Sequence, residues 1–273
     1  MKKSLNIFTL FLIINLCSIS VLYAINPQRK YVATPDAIGV KYLTQKIKVN
    51  DEITLNSWLC LQEDSRKPYI IISGADAGNM ANTLGQTEAL YKAGYNVILY
   101  DYRGFGESSD FEMNPDMVYY SEFGDDLKAV ISFVKNEFKP KEIFLYGLSM
   151  GTIVSRMNVD TDKTVKGLIL DSFVIDPKLV KDRIYAAKKR ELLLPEESDS
   201  YAKSNSEKLK KPILIFSGLK DMFTKTDDYK EFLARNASTK LVTWDCNHLE
   251  CFMAMDKDSD LYVKEINNFI RQL

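Results

Sequence analysis

The chain predicts an α/β fold, a mostly parallel sheet with helices on both faces, and three observations carry that expectation. From about Lys41 onward, short apolar runs suited to buried strands alternate with helix-length segments. One such run, Glu142-Ile143-Phe144-Leu145-Tyr146, leads into Gly147-Leu148-Ser149-Met150-Gly151, a G-x-S-x-G pentapeptide placed between strand and helix. The chain also has one histidine, His248, about a hundred residues downstream of that serine.

The elements follow in order. Gln45 to Val49 and Ile53 to Leu61 alternate apolar and polar residues around Asn50-Asp51-Glu52, the pattern of an antiparallel hairpin at a sheet edge. Pro68 to Ser73 contains Tyr69-Ile70-Ile71-Ile72, continuous enough to be buried on both faces. A helix from about Asn82 to Ala93, stopped by Gly94, leads to the strand Asn96 to Tyr100. Glu122 to Phe138 sets Phe123, Leu127, Val130, Ile131, Val134 and Phe138 on one helical face before Pro140. Strands follow at Ile143 to Tyr146, Val165 to Leu170, Ile213 to Phe216 and Leu241 to Trp244, with a last helix from about Leu261 to Arg271. The connection from Asp171 to Lys211 is too long for a simple crossover. It carries a helical Asp176 to Lys189 and then Leu192-Leu193-Leu194-Pro195, whose leucines need apolar cover, and reads as a small helical cap at about 173–208 over the strand ends. An ordinary surface helix with a loop is the alternative.

Composition bounds the function. With 273 residues, 46% of them apolar, the chain can bury one full core. The balance of 36 basic against 37 acidic residues, without a basic block, excludes nucleic acid as an expected partner. Residues 1–24 differ from the rest: Lys2 and Lys3 precede an apolar run from Leu5 to Tyr23, and Leu22-Tyr23-Ala24 offers a cleavage site. The segment reads as a signal peptide exporting the domain at 25–273 to the periplasm or the medium. The alternative is an uncleaved signal anchor giving membrane association, which Asn15, Ser18 and Ser20 weaken. Beyond the leader lie Cys60, Cys246 and Cys251, an odd number that makes no disulfide framework. Cys246 and Cys251 bracket His248 and leave a local disulfide open. One histidine and no C-x-x-C pair argue against a metal site, and no cofactor is expected.

These residues resemble the α/β-hydrolase superfamily, in particular its BEM46-like, serine aminopeptidase S33-type group. The carriers are Thr34-Pro35-Asp36-Ala37-Ile38-Gly39, Asp101-Tyr102-Arg103-Gly104-Phe105-Gly106-Glu107-Ser108, Gly147 to Gly151, Gly218-Leu219-Lys220-Asp221 and Asn247-His248. The resemblance implies a nucleophile at Ser149, an orienting acid at Asp221 and a base at His248, in the superfamily's chain order. Histidine titrates near neutrality, with an unperturbed pKa of about 6.5, and so can take the serine proton and return it to a leaving group. Asp245 rivals Asp221 but lies too near His248 in sequence to meet the ring nitrogen facing away from serine. The backbone N–H groups of Met150 and Ala75 are the expected oxyanion hole. The loop Ser73-Gly74-Ala75-Asp76-Ala77-Gly78-Asn79 departs from the family pattern, as do Thr152, where a second glycine is common, and Thr224, where proline is common. Because a carboxylate would oppose an oxyanion, Asp76 is expected to turn outward. Facing the pocket, it would instead select a cationic group. The segment around Arg103 is expected to be structural.

The function implied is cleavage of a carboxylic ester or thioester through an acyl-enzyme, on a small or lipid-like acyl substrate. Two alternatives stay open: a peptidase of the same fold, and a non-catalytic binding protein that kept the fold.

Overall fold

The computed structural model describes residues 24–64, 66–256 and 260–273, so the predicted leader lies outside the described residues except for Ala24. Eight strands form one sheet: β1 (Leu43–Lys48), β2 (Thr54–Cys60), β3 (Tyr69–Ser73), β4 (Asn96–Tyr100), β5 (Ile143–Leu148), β6 (Val165–Asp171), β7 (Ile213–Gly218) and β8 (Thr239–Trp244). The helices are α1 (Leu84–Lys92), α2 (Tyr120–Phe138), α3 (Met150–Asn158), α4 (Pro177–Lys188), α5 (Ser198–Ser204), α6 (Lys230–Arg235), α7 (Cys251–Asp256) and α8 (Leu261–Arg271). Across the sheet the order is β8-β7-β6-β5-β3-β4-β2-β1; β2 runs antiparallel to both of its neighbours, and every other pair is parallel.

The period-two alternation of strand side chains divides the core into two layers. Ile71, Ile98, Leu145 and Leu168 point to one face, where Phe123, Leu127, Val130 and Val134 of α2 and Ile153 and Val154 of α3 cover them. Ile70, Ile72, Val97, Phe144 and Phe216 point to the other, under Leu84 and Leu90 of α1 and Tyr262, Ile266 and Phe269 of α8. Burying one such aliphatic side chain contributes roughly 1.5–3 kcal/mol. Both faces are therefore covered, which is why the middles of the central strands are apolar.

The hairpin forms in the expected register, with Asn50 Oδ1 accepting from the backbone N–H groups of Glu52 and Ile53 in its turn. Of the two hairpin strands, only β1 lies at the sheet edge, however. β2 pairs with β4 on its other side and is buried almost throughout, so the hairpin stands half inside the sheet. The expected helix at Asn82 becomes a 3-10 turn, Met80–Thr83, before α1, and α2 begins at Tyr120.

Between β6 and β7, α4 starts at Pro177 behind an Asp176 cap whose Oδ1 accepts from Lys178 N. The leucine triplet divides. Leu192 is buried, whereas Leu193 is exposed and exchanges backbone hydrogen bonds with the 116–118 segment. The β3–β4 and β5–β6 connections leave β3 and β5 in opposite directions along the sheet. That reversal opens a crevice at their carboxyl ends, between Ser73 and Leu148.

Candidate active site

Ser149 occupies the turn between β5 and α3 at φ 50° and ψ −114°, a region costly for a side chain with Cβ. The turn closes because its neighbours are glycines. A Cβ on Gly147 would strike the Gly151 carbonyl, and one on Gly151 would strike the carbonyl oxygens of Ser73 and Gly74. The same contact brings the loop after β3 against the first turn of α3. Thr152 adds to this: its hydroxyl donates to Ser149 O at 2.6 Å and accepts from Val174 N at 3.0 Å. Where a second glycine was the family pattern, a threonine thus ties the serine turn to the segment after β6.

His248 Nε2 lies 2.9 Å from Ser149 Oγ, and its Nδ1 lies 2.7 Å from Asp221 Oδ2. The loops that carry Asp221 and His248 touch at Gly218, where a Cβ would meet the carbonyl oxygens of Cys246 and Asn247. Leu219 N and Lys220 N donate to Trp244 O and Cys246 O, locking the two loops together. Asp221 is buried. Its Oδ1 accepts from Phe223 N and Thr224 N, and its Oδ2 also accepts from Thr224 Oγ1 at 2.6 Å. Burial alone would raise the Asp221 pKa, but the bonds from His248 and Thr224 outweigh it and hold the carboxyl below the usual range. Thr224 therefore supplies hydrogen bonds that the proline common at this place could not. Asp245, the rival acid, is exposed and pairs with Lys220 at 2.9 Å.

Behind these side chains is a buried polar relay that sequence reasoning passed over. Asp171 ends β6 with no exposed surface. Its backbone carbonyl accepts from Ser149 N at 3.0 Å, and its Oδ2 accepts from Tyr262 Oη at 2.8 Å. Ser172 Oγ donates weakly to Asp171 Oδ1 and accepts at 2.9 Å from Leu249 N, the amide next to His248. Tyr262 Oη is also 2.7 Å from Tyr146 Oη. Burial pushes the Asp171 carboxyl up to about 6, partly offset by Tyr262, His248 and Ser172. Ser149, Ser172 and Leu249 all hold positive φ, so backbone strain gathers here. The available signal was an acidic residue closing the apolar run Leu168-Ile169-Leu170.

The expectation for Asp76 is corrected: it does not turn outward. It lines a cavity with Ser149, Met150, Ile153, Val174, Ile184, Lys188, Leu192 and His248. The physical reason is the N-terminal strand segment. Asn26 N donates to Asp76 O at 2.9 Å, and Asn26 and Pro27 pair with Ala77 and Gly78, which occupies the outer side of the loop with backbone. Burial raises the Asp76 carboxyl pKa, against the lowering influence of its own N–H, His248 and Lys188. Met150 opens α3, so its N–H has no carbonyl a turn earlier, and Ala75 lies two residues beyond the Ser73–Gly147 pair. Arg103 forms a buried ion pair with Asp126 at 2.7 Å, away from the serine. Cys246 and Cys251 are buried free thiols with Sγ atoms 3.1 Å apart, hydrogen-bonded and not bridged.

An eight-stranded sheet of this order, with a serine on a strained strand-to-helix turn at its reversal, defines an α/β-hydrolase. The family described as serine aminopeptidase, S33, matches residues 71–196. The uncharacterized membrane protein YNL320W of Saccharomyces cerevisiae is 31% identical over 204 residues, covering 71% of this chain and 67% of that protein. Protein bem46 of Schizosaccharomyces pombe is 28% identical over 149 residues, 53% of this chain and 48% of its own length. Among solved structures, the Pyrococcus furiosus esterase Pf2001 superposes with a TM-score of 0.70 over 90% of this chain and 99% of that one, at 24% identity. The chain belongs to the α/β-hydrolase superfamily and, within it, to the BEM46-like, serine aminopeptidase S33-type group.

Proposed function

We propose that the protein is a serine hydrolase that cleaves a carboxylic ester or thioester through an acyl-enzyme. The observation that carries this reading is the position of His248, within hydrogen-bond reach of Ser149 Oγ on one ring nitrogen and Asp221 on the other. Asp221 holds the imidazole in the tautomer with a free Nε2 and stabilises the imidazolium. His248 takes the Ser149 proton as the oxygen attacks the acyl carbon, then returns it to the leaving group. The N–H groups of Met150 and Ala75 receive the oxyanion, aided by the positive end of α3. The apolar residues Met150, Ile153, Val174, Ile184 and Leu192 suit an acyl chain, and the α4–α5 segment acts as the cap over it. Residues 1–24 direct export or hold the domain at a membrane. Among the described residues, no helix is long and apolar enough to cross one.

Peptide cleavage is the second reading, favoured by the S33 family match, since the same three side chains serve amide hydrolysis. A fluorophosphonate probe tests the first step common to both. Purified protein should label at Ser149, and Ser149→Ala should abolish both labelling and hydrolysis of p-nitrophenyl butyrate. An unlabelled native protein, or undiminished turnover in the variant, overturns the assignment and leaves the non-catalytic binding protein.

A further inference from the structure

We propose that Asp76 makes this cavity selective for substrates carrying a positively charged group close to the scissile carbonyl. The inference rests on Ser149 being the nucleophile, since it concerns what lies beside that serine when it reacts.

Three observations support it. Asp76 lines the same cavity as Ser149 and His248, in a wall otherwise mostly apolar. Its loop is pinned from outside by the pairing of Asn26–Pro27 with Ala77–Gly78, so the carboxylate is a fixed part of the wall. Finally, among the described residues no other residue donates a hydrogen bond to its carboxylate, and it has no ion-pair partner within 4 Å.

The other charges at the cavity are engaged elsewhere. Arg190 pairs with Asp116, and Glu191 lies 3.9 Å from Lys181. Lys188, at the end of α4, places its ammonium over the Phe223 ring, 5.0 Å from the centroid. It faces Asp76 electrostatically but does not neutralise it by contact. A half-buried carboxylate with this little compensation is costly where it stands, and a ligand ammonium that reaches it restores the missing countercharge. Such an ammonium also offsets the repulsion between Asp76 and the oxyanion forming nearby, so the benefit is expressed in the transition state as well as in binding. Asp76 is then a specificity-determining residue.

The chemistry is an ammonium on a short stem, from either the acyl part or the leaving group, and two matched pairs of esters distinguish the sources. On the acyl side, the p-nitrophenyl esters of 3-aminopropionate and butyrate differ by ammonium against methyl. On the leaving-group side, butyrylcholine and 3,3-dimethylbutyl butyrate differ by a charged nitrogen against carbon. For each pair the ratio of kcat/KM, cationic over neutral, is divided by the corresponding ratio for hydroxide hydrolysis. The full-length protein should favour the cation in one arm. Asp76→Asn should lower that ratio roughly tenfold. Lys188→Gln, which removes a like charge, should raise it, and this variant keeps the inference testable if Asp76→Asn fails to fold. A ratio unchanged in both arms by Asp76→Asn, or lowered by Lys188→Gln, overturns the inference while fluorophosphonate labelling of Ser149 persists. Absence of labelling in the native protein overturns the serine-hydrolase reading, and this inference with it.

Discussion

As the proposed base, His248 has no substitute, because the sequence holds no second imidazole. His248→Ala should lower kcat on p-nitrophenyl butyrate by roughly 10⁴-fold or more, with KM little changed. Diethyl pyrocarbonate should inactivate in proportion to a single modified imidazole per chain, and hydroxylamine should restore activity. A second phase, or activity surviving full modification, would assign the base elsewhere. The convergence of Ser149, Asp221 and His248 was legible in the sequence because each sits at a strand end in a fixed order, so local pattern and chain order point the same way. Asp76 and Asp171 were legible only as letters. The direction of Asp76 is decided by Asn26, fifty residues earlier in the chain, whose amide occupies the outer side of the loop. The importance of Asp171 arises from Tyr262 and Leu249, both far along the chain. No pattern within a single strand records such a partner.

Among the elements, the fit of α3 against β3 and β5 depends on missing atoms more than on attractive contacts. Gly151→Ala would drive a methyl into the carbonyls of Ser73 and Gly74, with backbone on every side and nothing able to yield. The expected result is a loss of roughly 2–3 kcal/mol of stability, read as a lowered urea midpoint, with a larger fractional loss of turnover. Gly124→Ala in α2 is the contrasting case. Its nearest neighbours would be Asn158 Nδ2 at 3.5 Å and Met157 Cε at 3.9 Å, ordinary contacts, so the helix should gain about 0.5–1 kcal/mol. Element positions were readable from hydrophobic period, and their ends drifted by a few residues where a 3-10 turn or a neighbouring strand intervened. The 198–204 helix could not be read, because its polar sequence carries no apolar stripe and Tyr201 alone is buried deeply among apolar residues, its hydroxyl donating to Val174 O.

At the scale of the whole molecule, buried carboxyls set how stability responds to pH. Asp101, Asp126 and Asp171 are each raised to about 6 in the folded protein, mainly by burial. A raised carboxyl pKa means the folded chain holds that proton more tightly than the unfolded one, so stability falls as pH rises from about 4 to 6. Asp221 acts with the opposite sign: its lowered pKa contributes stability above its unfolded value, and that is lost as pH falls through its folded value. Asp171→Asn isolates one of these. Relative to the unmodified protein, its stability should improve by roughly 2–3 kcal/mol between pH 4 and pH 7, measured by urea unfolding at each pH. A pH-independent difference would show that the Asp171 carboxyl titrates alike in the folded and unfolded chain, with no upward shift. The reversal of strand order between β3 and β5 has a broader consequence. The hollow beneath α4 exists because the polypeptide turns back on itself there, and its shape owes little to the serine at its base. A protein stripped of its proposed nucleophile by Ser149→Ala should therefore still hold the proposed ester, unreacted, in the same place, which makes the inert variant the natural bait for finding what the living one consumes.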